Sequence, residues 1–290
     1  MKDPAVAAVV GVMLILVIVV SLLAVLNTTT IPDLKAQAEV GHVREVEEGF
    51  ARLSAALSGI SSGPSGSGGT FAIPLGGGEV PMNTLRSSGT LFVMNDTVGS
   101  PAVEVTLNGM TFPVRFVTVG YRPTVHFWVD QGYNWSLGYV MVTKAGIETP
   151  LDYFNESHLA ESGHWERFRR VILSDENHGE NGTLSRLTIS LTSFEPGNQT
   201  FTSGNGVGSI RYSVHDEPGQ TFQPASLDIR VNQTLPGGLK DQLDDYLASI
   251  KGTYANVNST LGADGNYSFS FTGDLPNVTV NRRVVSLSAG

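Results

Sequence analysis

The side chains able to do chemistry gather in one stretch past the middle of the chain. The densest group is His158-Leu-Ala-Glu161-Ser-Gly-His164-Trp-Glu166. Imidazole nitrogens and carboxylate oxygens at that density are the ligands a divalent metal takes. The spacing is not that of a zinc-protease helix, where two histidines one turn apart face the ion. Here His158 and His164 are six residues apart, Gly163 intervenes and no third ligand follows. A polar loop between strands is the expected reading. A few residues on, Asp175-Glu-Asn177-His-Gly-Glu180-Asn181-Gly182 offers hard oxygen ligands on an acidic, glycine-containing loop. An EF-hand-like calcium loop would need a side-chain oxygen where Gly179 stands and a bidentate glutamate where Arg186 stands. A solvated hairpin loop is expected there, with Asp175 and Asn177 as ligand candidates only.

Nucleophilic chemistry has less support still. The chain has no cysteine, which removes disulfides, thiolate zinc sites and thiol nucleophiles together. Ser65 and Ser67 lie in a Gly-rich stretch, and no G-x-S-x-G elbow occurs. Gly76-Gly-Gly78 is not followed by Lys-Ser/Thr, so no phosphate loop is present. Neither an enzyme nor a cofactor is expected. One further cluster, Tyr121, Phe127, Trp128, Tyr133, Trp135 and Tyr139, is aromatic. Flat rings can stack on sugars, but large β cores collect rings in the same way, and the core reading is favoured.

The elements that would carry such residues begin with an apolar run. Residues 5–26 contain no charge, and Ser21 is their only polar side chain. At about 1.5 Å per residue a helix of that length spans roughly 33 Å, the thickness of a bilayer's hydrocarbon core. A cleaved signal has a shorter apolar region and a small-residue cleavage site, which is absent here, so an uncleaved span is expected. Lys2 lies on its short side, and Asp33, Glu39, Glu45, Glu47 and Glu48 follow it. Positive-inside bias then places the N-terminus in the cytoplasm and the rest outside.

Asn-x-Ser/Thr triplets point the same way. Asn27, Asn95, Asn134, Asn155, Asn181, Asn198, Asn232, Asn258, Asn266 and Asn277 each begin one. Composition alone predicts about three. The excess is read as N-glycosylation of an exported domain. The formal net charge of −9 belongs to that domain, since Lys2 and Asp3 cancel. An acidic surface repels phosphate backbones, so nucleic acid is not an expected partner.

The expected fold is mainly β. A hydrophobic helix occupies 1–30, with Ala7, Gly11, Leu14, Leu16, Leu22 and Leu26 facing lipid or neighbouring helices. Asn27-Thr-Thr-Thr-Ile-Pro interrupts the pattern, and an amphipathic stalk helix follows over 31–60. Val43, Val46, Phe50, Leu53, Leu57 and Ile60 repeat at alternating spacings of three and four, a heptad seam that needs a partner. Copies of the same helix and the protein's own β domain are equal alternatives. Gly and Ser dominate 61–69, read as a flexible linker. Over 70–290 short β-rich runs recur between turn signals such as Asn108-Gly109 and Pro218-Gly219. They predict an antiparallel β-sandwich or barrel, with one amphipathic helix over 239–251. A subdomain break, if there is one, falls near 215–235.

The first 20 residues resemble the N-terminal region of archaeal type IV pilins and pilin-like surface proteins. Asp3-Pro-Ala-Val6 leads into Val9-Val10-Gly11-Val12-Met13-Leu14-Ile15-Leu16, as an acid-bearing stretch does in that family. Ala7-Ala8 replaces the family's Ser-Pro pair, and no Lys/Arg-Gly processing site precedes the span. The resemblance implies a structural surface protein that self-associates through its first helix or remains anchored in a bilayer. Ala7 and Gly11 form a small-xxx-small pair that allows close helix approach. A monomeric adhesin or glycan-binding module on the same anchor is the alternative, and an exported metal-dependent enzyme a distant third.

Overall fold

A computed structural model describes residues 4–60, 64–77, 86–95, 101–127, 130–136, 138–151, 173–180, 182–231, 241–242, 244–245, 248–249, 253–262 and 266–290. The polar interruption after the apolar run does not break the helix. α1 (Pro4–Val25) passes through one π-helical turn (Leu26–Thr30) directly into α2 (Ile31–Gly59). Asn27, Thr28 and Thr29 bond back to the carbonyls of Leu23, Ala24 and Val25 at 2.9, 2.8 and 2.8 Å. Such back-bonding competes with the helix ladder at the turn where it takes the π form. Pro32 follows directly on the π turn and has no N–H to give to the ladder there.

Among the described residues sixteen strands form three sheets. The first has the order β1 (Gly68–Pro74), β12 (Val207–Phe222), β16 (Asn277–Ala289), β10 (Thr183–Pro196), β9 (Leu173–Glu180). The second runs β11 (Phe201–Gly204), β2 (Ser88–Asn95), β5 (Val117–Val125), β6 (Gln131–Ser136), β7 (Tyr139–Lys144), β8 (Ile147–Pro150). The third runs β14 (Val257–Leu261), β15 (Asn266–Phe271), β13 (Ser226–Val231), β3 (Val103–Leu107), β4 (Met110–Val114). Among the described pairs all are antiparallel except β10 with β16.

The first sheet is shared by two cores, one on each face. Leu187, Ile189 and Leu191 line up beside Val278, Val280 and Arg282, and Phe222 lies beside Val278. This face meets the third sheet, where Phe112 sets its ring edge-on to Phe222 at 6.0 Å. Farther along the same strands the buried positions move to the other face. Phe194 lies beside Val285, and Val214 and Ile210 beside Val285 and Ala289. Phe194 there meets Trp135 of the second sheet at 5.6 Å. Strands serving both cores must be long, and β10, β12 and β16 have 14, 16 and 13 residues.

At the crossing point the two faces carry adjacent arginines. Arg282 pairs with Glu217 at 3.0 Å and Glu195 at 3.5 Å. Arg283, on the opposite face, grips both oxygens of Asp216 at 2.6 and 2.8 Å and donates to the Ile60 carbonyl at 2.7 Å. That last bond ties the end of α2 to the sheet. The Arg283 guanidinium holds the Asp216 carboxyl below its usual range, against a smaller opposing effect of desolvation.

The heptad seam of α2 finds its partner inside this domain. Val46, Phe50 and Leu53 are 0% exposed. Leu57 and Ile60 are also buried, and Val43 packs against the cluster from a half-buried position. The helix wedges between β1 and the second sheet. Gly49 sits so close to Ile73 that a Cβ would lie 3.3 Å from Cγ1. Phe50 stacks on Tyr133 at 5.8 Å, and the Ser54 hydroxyl donates to the Gly138 carbonyl. Because α2 passes Tyr121 at His42 and ends beside Arg283, the third sheet lies at the end remote from α1.

Several expected elements differ. The linker's last glycines, Gly68 and Gly69, open β1, because each pairs in register with β12. β4 gives way to β5 around a corner at Arg115-Phe116, and Gly138 lies between β6 and β7. Pro218-Gly219 does not end a strand but sits at a register shift inside β12. Such a bulge absorbs a proline that cannot join the ladder. The acidic stretch from Asp175 is strand β9, not loop, with Asp175 opposite Ile189 and Asn177 opposite Leu187. The amphipathic helix over 239–251 lies largely outside the described residues.

Phe50 is expected to hold α2 in place. Phe50→Ala should cost about 3–5 kcal/mol, the range for a fully buried ring. Denaturant unfolding of the whole chain in detergent measures it. A loss under about 1 kcal/mol would show that α2 is not core.

Candidate functional site

The site is the helical rod and its junction with the domain. From Val9 to Leu26 every large apolar side chain is between 43 and 67% exposed, on all sides of α1. Leu14, Leu16, Leu22 and Leu26 are among them, and nothing lies within 4 Å of a Cβ built on Gly11. Ala7 falls one turn earlier in the same helix. Each such side chain withdrawn from water contributes about 1.5–3 kcal/mol. The helix is long and apolar enough to cross a membrane.

Above the apolar segment a polar clasp joins α2 to the second sheet. Lys35, Glu39 and His42 repeat at helical spacing, so they share one face, and all three are buried. The Lys35 ammonium sits 4.0 Å from the centre of the Phe127 ring. The Phe127 N–H donates to the Glu39 carboxylate. His42 Nε2 lies 3.1 Å from the Tyr121 hydroxyl, which donates to the Leu75 carbonyl at 3.3 Å. One turn further, the Tyr133 hydroxyl donates to Glu47 at 3.1 Å and accepts from Gln131 at 2.6 Å.

Burial governs the titration of these groups. It pushes the Tyr121 and Tyr133 hydroxyls up, with Glu39 adding to the first and Glu47 to the second. Burial also pushes the His42 imidazole down, and Glu45 and Glu39 only partly offset it. The sequence reading caught the apolar seam but missed the clasp. Lys35, Glu39 and His42 read as solvated helix polarity until the strands that receive them are known.

The remaining candidates scatter. His158, Glu161 and His164 lie outside the described residues, as do Asn155, Asn181 and Asn232. Among the described residues no group of three or more His, Asp or Glu is placed to hold a metal. Asn27, Asn95, Asn198, Asn258 and Asn277 are exposed. Asn134 and Asn266 are half-buried within strands, and the Asn134 amide donates to Glu148 at 2.8 Å.

Three of the six clustered aromatics, Tyr121, Tyr133 and Trp135, are core residues. A half-buried Phe127 serves the clasp, and the side chains of Trp128 and Tyr139 lie outside the described residues. The rings that do face outward were not singled out. Phe201 of β11 stands opposite Phe92 of β2, 67% exposed, on the outer face of the second sheet. Gly120 lies next in the row, and the Phe92 ring fills the space a side chain would occupy there. Arg122 reaches over the same ring at 5.5 Å.

No protein family model, curated protein or solved structure matches the chain. The geometry itself therefore carries the functional reading: an apolar rod grafted into a β core.

Removing one hydroxyl tests the clasp. Tyr133→Phe keeps the ring on Phe50 but leaves Glu47 and Gln131 without their shared partner. A loss of about 1–2 kcal/mol is expected in denaturant unfolding. An unchanged stability would mean that the clasp contributes nothing to docking.

Proposed function

We propose that this chain is a structural cell-surface protein, a pilin-like subunit or pilin-like membrane-anchored protein that exposes a glycosylated β domain. One observation carries the reading: a single helix is uncovered and apolar for its first half and is the core of a β domain for its second. A rod of that kind fixes a folded domain at a set height above whatever buries its apolar half. Lipid can bury it. So can a bundle of identical helices, for which Ala7 and Gly11 offer a small-residue face. The outward orientation follows from the charge asymmetry about the span, and the excess of sequons favours glycosylation.

Deleting residues 5–26 separates these possibilities from a soluble role. The deleted protein should keep its β domain, lose membrane association and form no filaments in material sheared from cells. Filaments or tight membrane binding by the deleted form would refute the proposal.

A second reading, an anchored glycan-binding module, draws on Phe92 and Phe201. The exposed Phe201 ring, opposite the half-buried Phe92 ring and its neighbour Arg122, offers a sugar a stacking face and a hydrogen-bond donor. Binding on a glycan array, reduced at least tenfold by Phe201→Ala with the fold intact, would support it. No binding by the intact chain would exclude it.

A further inference from the structure

We propose that His42 is a proton-operated latch whose protonation releases the first turns of α2 from the second sheet. The hydrogen bonds around the ring fix where a second proton would go. The Tyr121 hydroxyl donates to the Leu75 carbonyl, so its oxygen accepts from His42 Nε2–H. The free lone pair is then on Nδ1, which is buried without a partner. Gly77 closes over it, since a Cβ on that residue would lie 3.5 Å from Nδ1. A proton added there would create a cation with no acceptor, in a residue only 6% exposed. Such a group is neutral while docked and charges only when water reaches it.

The charges facing the ring do not cancel this penalty. Glu39 and Glu45, on α2 itself, draw a proton toward it, yet burial outweighs them. Lys35, a further turn away, is turned onto Phe127, and Glu47 is held by Tyr133. From β5 the facing group is the Tyr121 hydroxyl, which burial keeps in its neutral form. The 75–77 segment presents only backbone and Leu75. His126, beside Phe127, is exposed.

The sign follows from linkage. The docked imidazole has a depressed affinity for protons, whereas the released one regains a value near 6.5. Release is therefore favoured as pH falls below about 6.5, by up to about tenfold per unit, until the docked ring itself titrates. Above about pH 7.5 the latch stays shut.

The structure also limits what would move. From Val46 onward one face of α2 is sealed in apolar core, whereas Lys35, Glu39 and His42 make polar contacts that water can replace. Gly41 stands exposed in the helix between them, with nothing within 4 Å of a Cβ built there. A glycine inside a helix weakens it by about 1 kcal/mol. Gly41 therefore lowers the cost of loosening the helix around His42, so that acidification would loosen the domain from α1 without unfolding it.

The absence of cysteine makes the test direct. Spin labels on Gln37→Cys and Ile147→Cys, both at exposed positions, report the distance between α2 and the second sheet in the full chain in detergent micelles. One distance is expected at about pH 7.5, and a second, longer population should grow below about pH 6. His42→Gln can still donate to Tyr121 but gains no proton, so its profile should stay flat. An unchanged wild-type distribution down to about pH 5, or a glutamine variant that shifts as much as wild type, overturns the proposal. Should that variant not fold, the His42 ring's own NMR titration decides. A docked ring titrating near 6.5 defeats the latch, and one that stays neutral until release supports it.

Discussion

The structure depends on one helix meeting two incompatible surroundings. Over α1 every side is apolar and uncovered, so the segment is stable only where something other than water surrounds it. Over α2 one stripe is apolar and the opposite face is charged, so the segment is stable only against a partner of its own. The β domain supplies that partner. Because the π turn joins the two without a break, whatever holds α1 also sets the position of the domain's core helix. A flexible tether would have separated these two demands, and the chain has none between them.

The domain answers with an arrangement in which no sheet stands alone. The second and third sheets pack on opposite faces of the first, at different points along its strands. Alternation along an antiparallel strand normally gives one buried and one solvated face. Here the buried face changes partway, and Arg282 and Arg283 occupy the change. Neither could be left unpaired so close to apolar neighbours. Glu195, Glu217 and Asp216 supply the counter-charges from the adjacent strands β10 and β12. Arg283 also donates through Nη1 to the Ile60 carbonyl, which links the end of the rod to the point where both cores meet.

Much of this was legible in the chain itself, for identifiable reasons. The apolar run and the seam are periodic signals within one element, and both fell where expected. Asn108-Gly109 marked its hairpin because both residues take positive φ, at 50° and 79°. The equivalent turn at Ala145-Gly146, with φ of 50° and 80°, went unread, since alanine rarely takes that conformation. Strand limits failed where partners decide them. Nothing local in Asp175-Glu-Asn-His-Gly says strand, and β10 imposes it. The clasp was hidden for the same reason: Glu39 and His42 acquire meaning only from Phe127 and Tyr121, some 80 residues away.

The lack of cysteine shows how such a domain can persist without crosslinks. Its long-range order comes from β12 and β16, paired from Ile210 and Ala289 at one end to Phe222 and Val278 at the other. With β10 running parallel on the far side, β16 is hydrogen-bonded on both edges along most of its length. An opening confined to either core leaves those ladders intact in the other, so loss of one packing face does not release the strands. Local opening is then cheapest where the ladders do not reach, at the polar clasp between α2 and the second sheet. The architecture concentrates movement at the junction between rod and domain, and keeps it out of the domain itself.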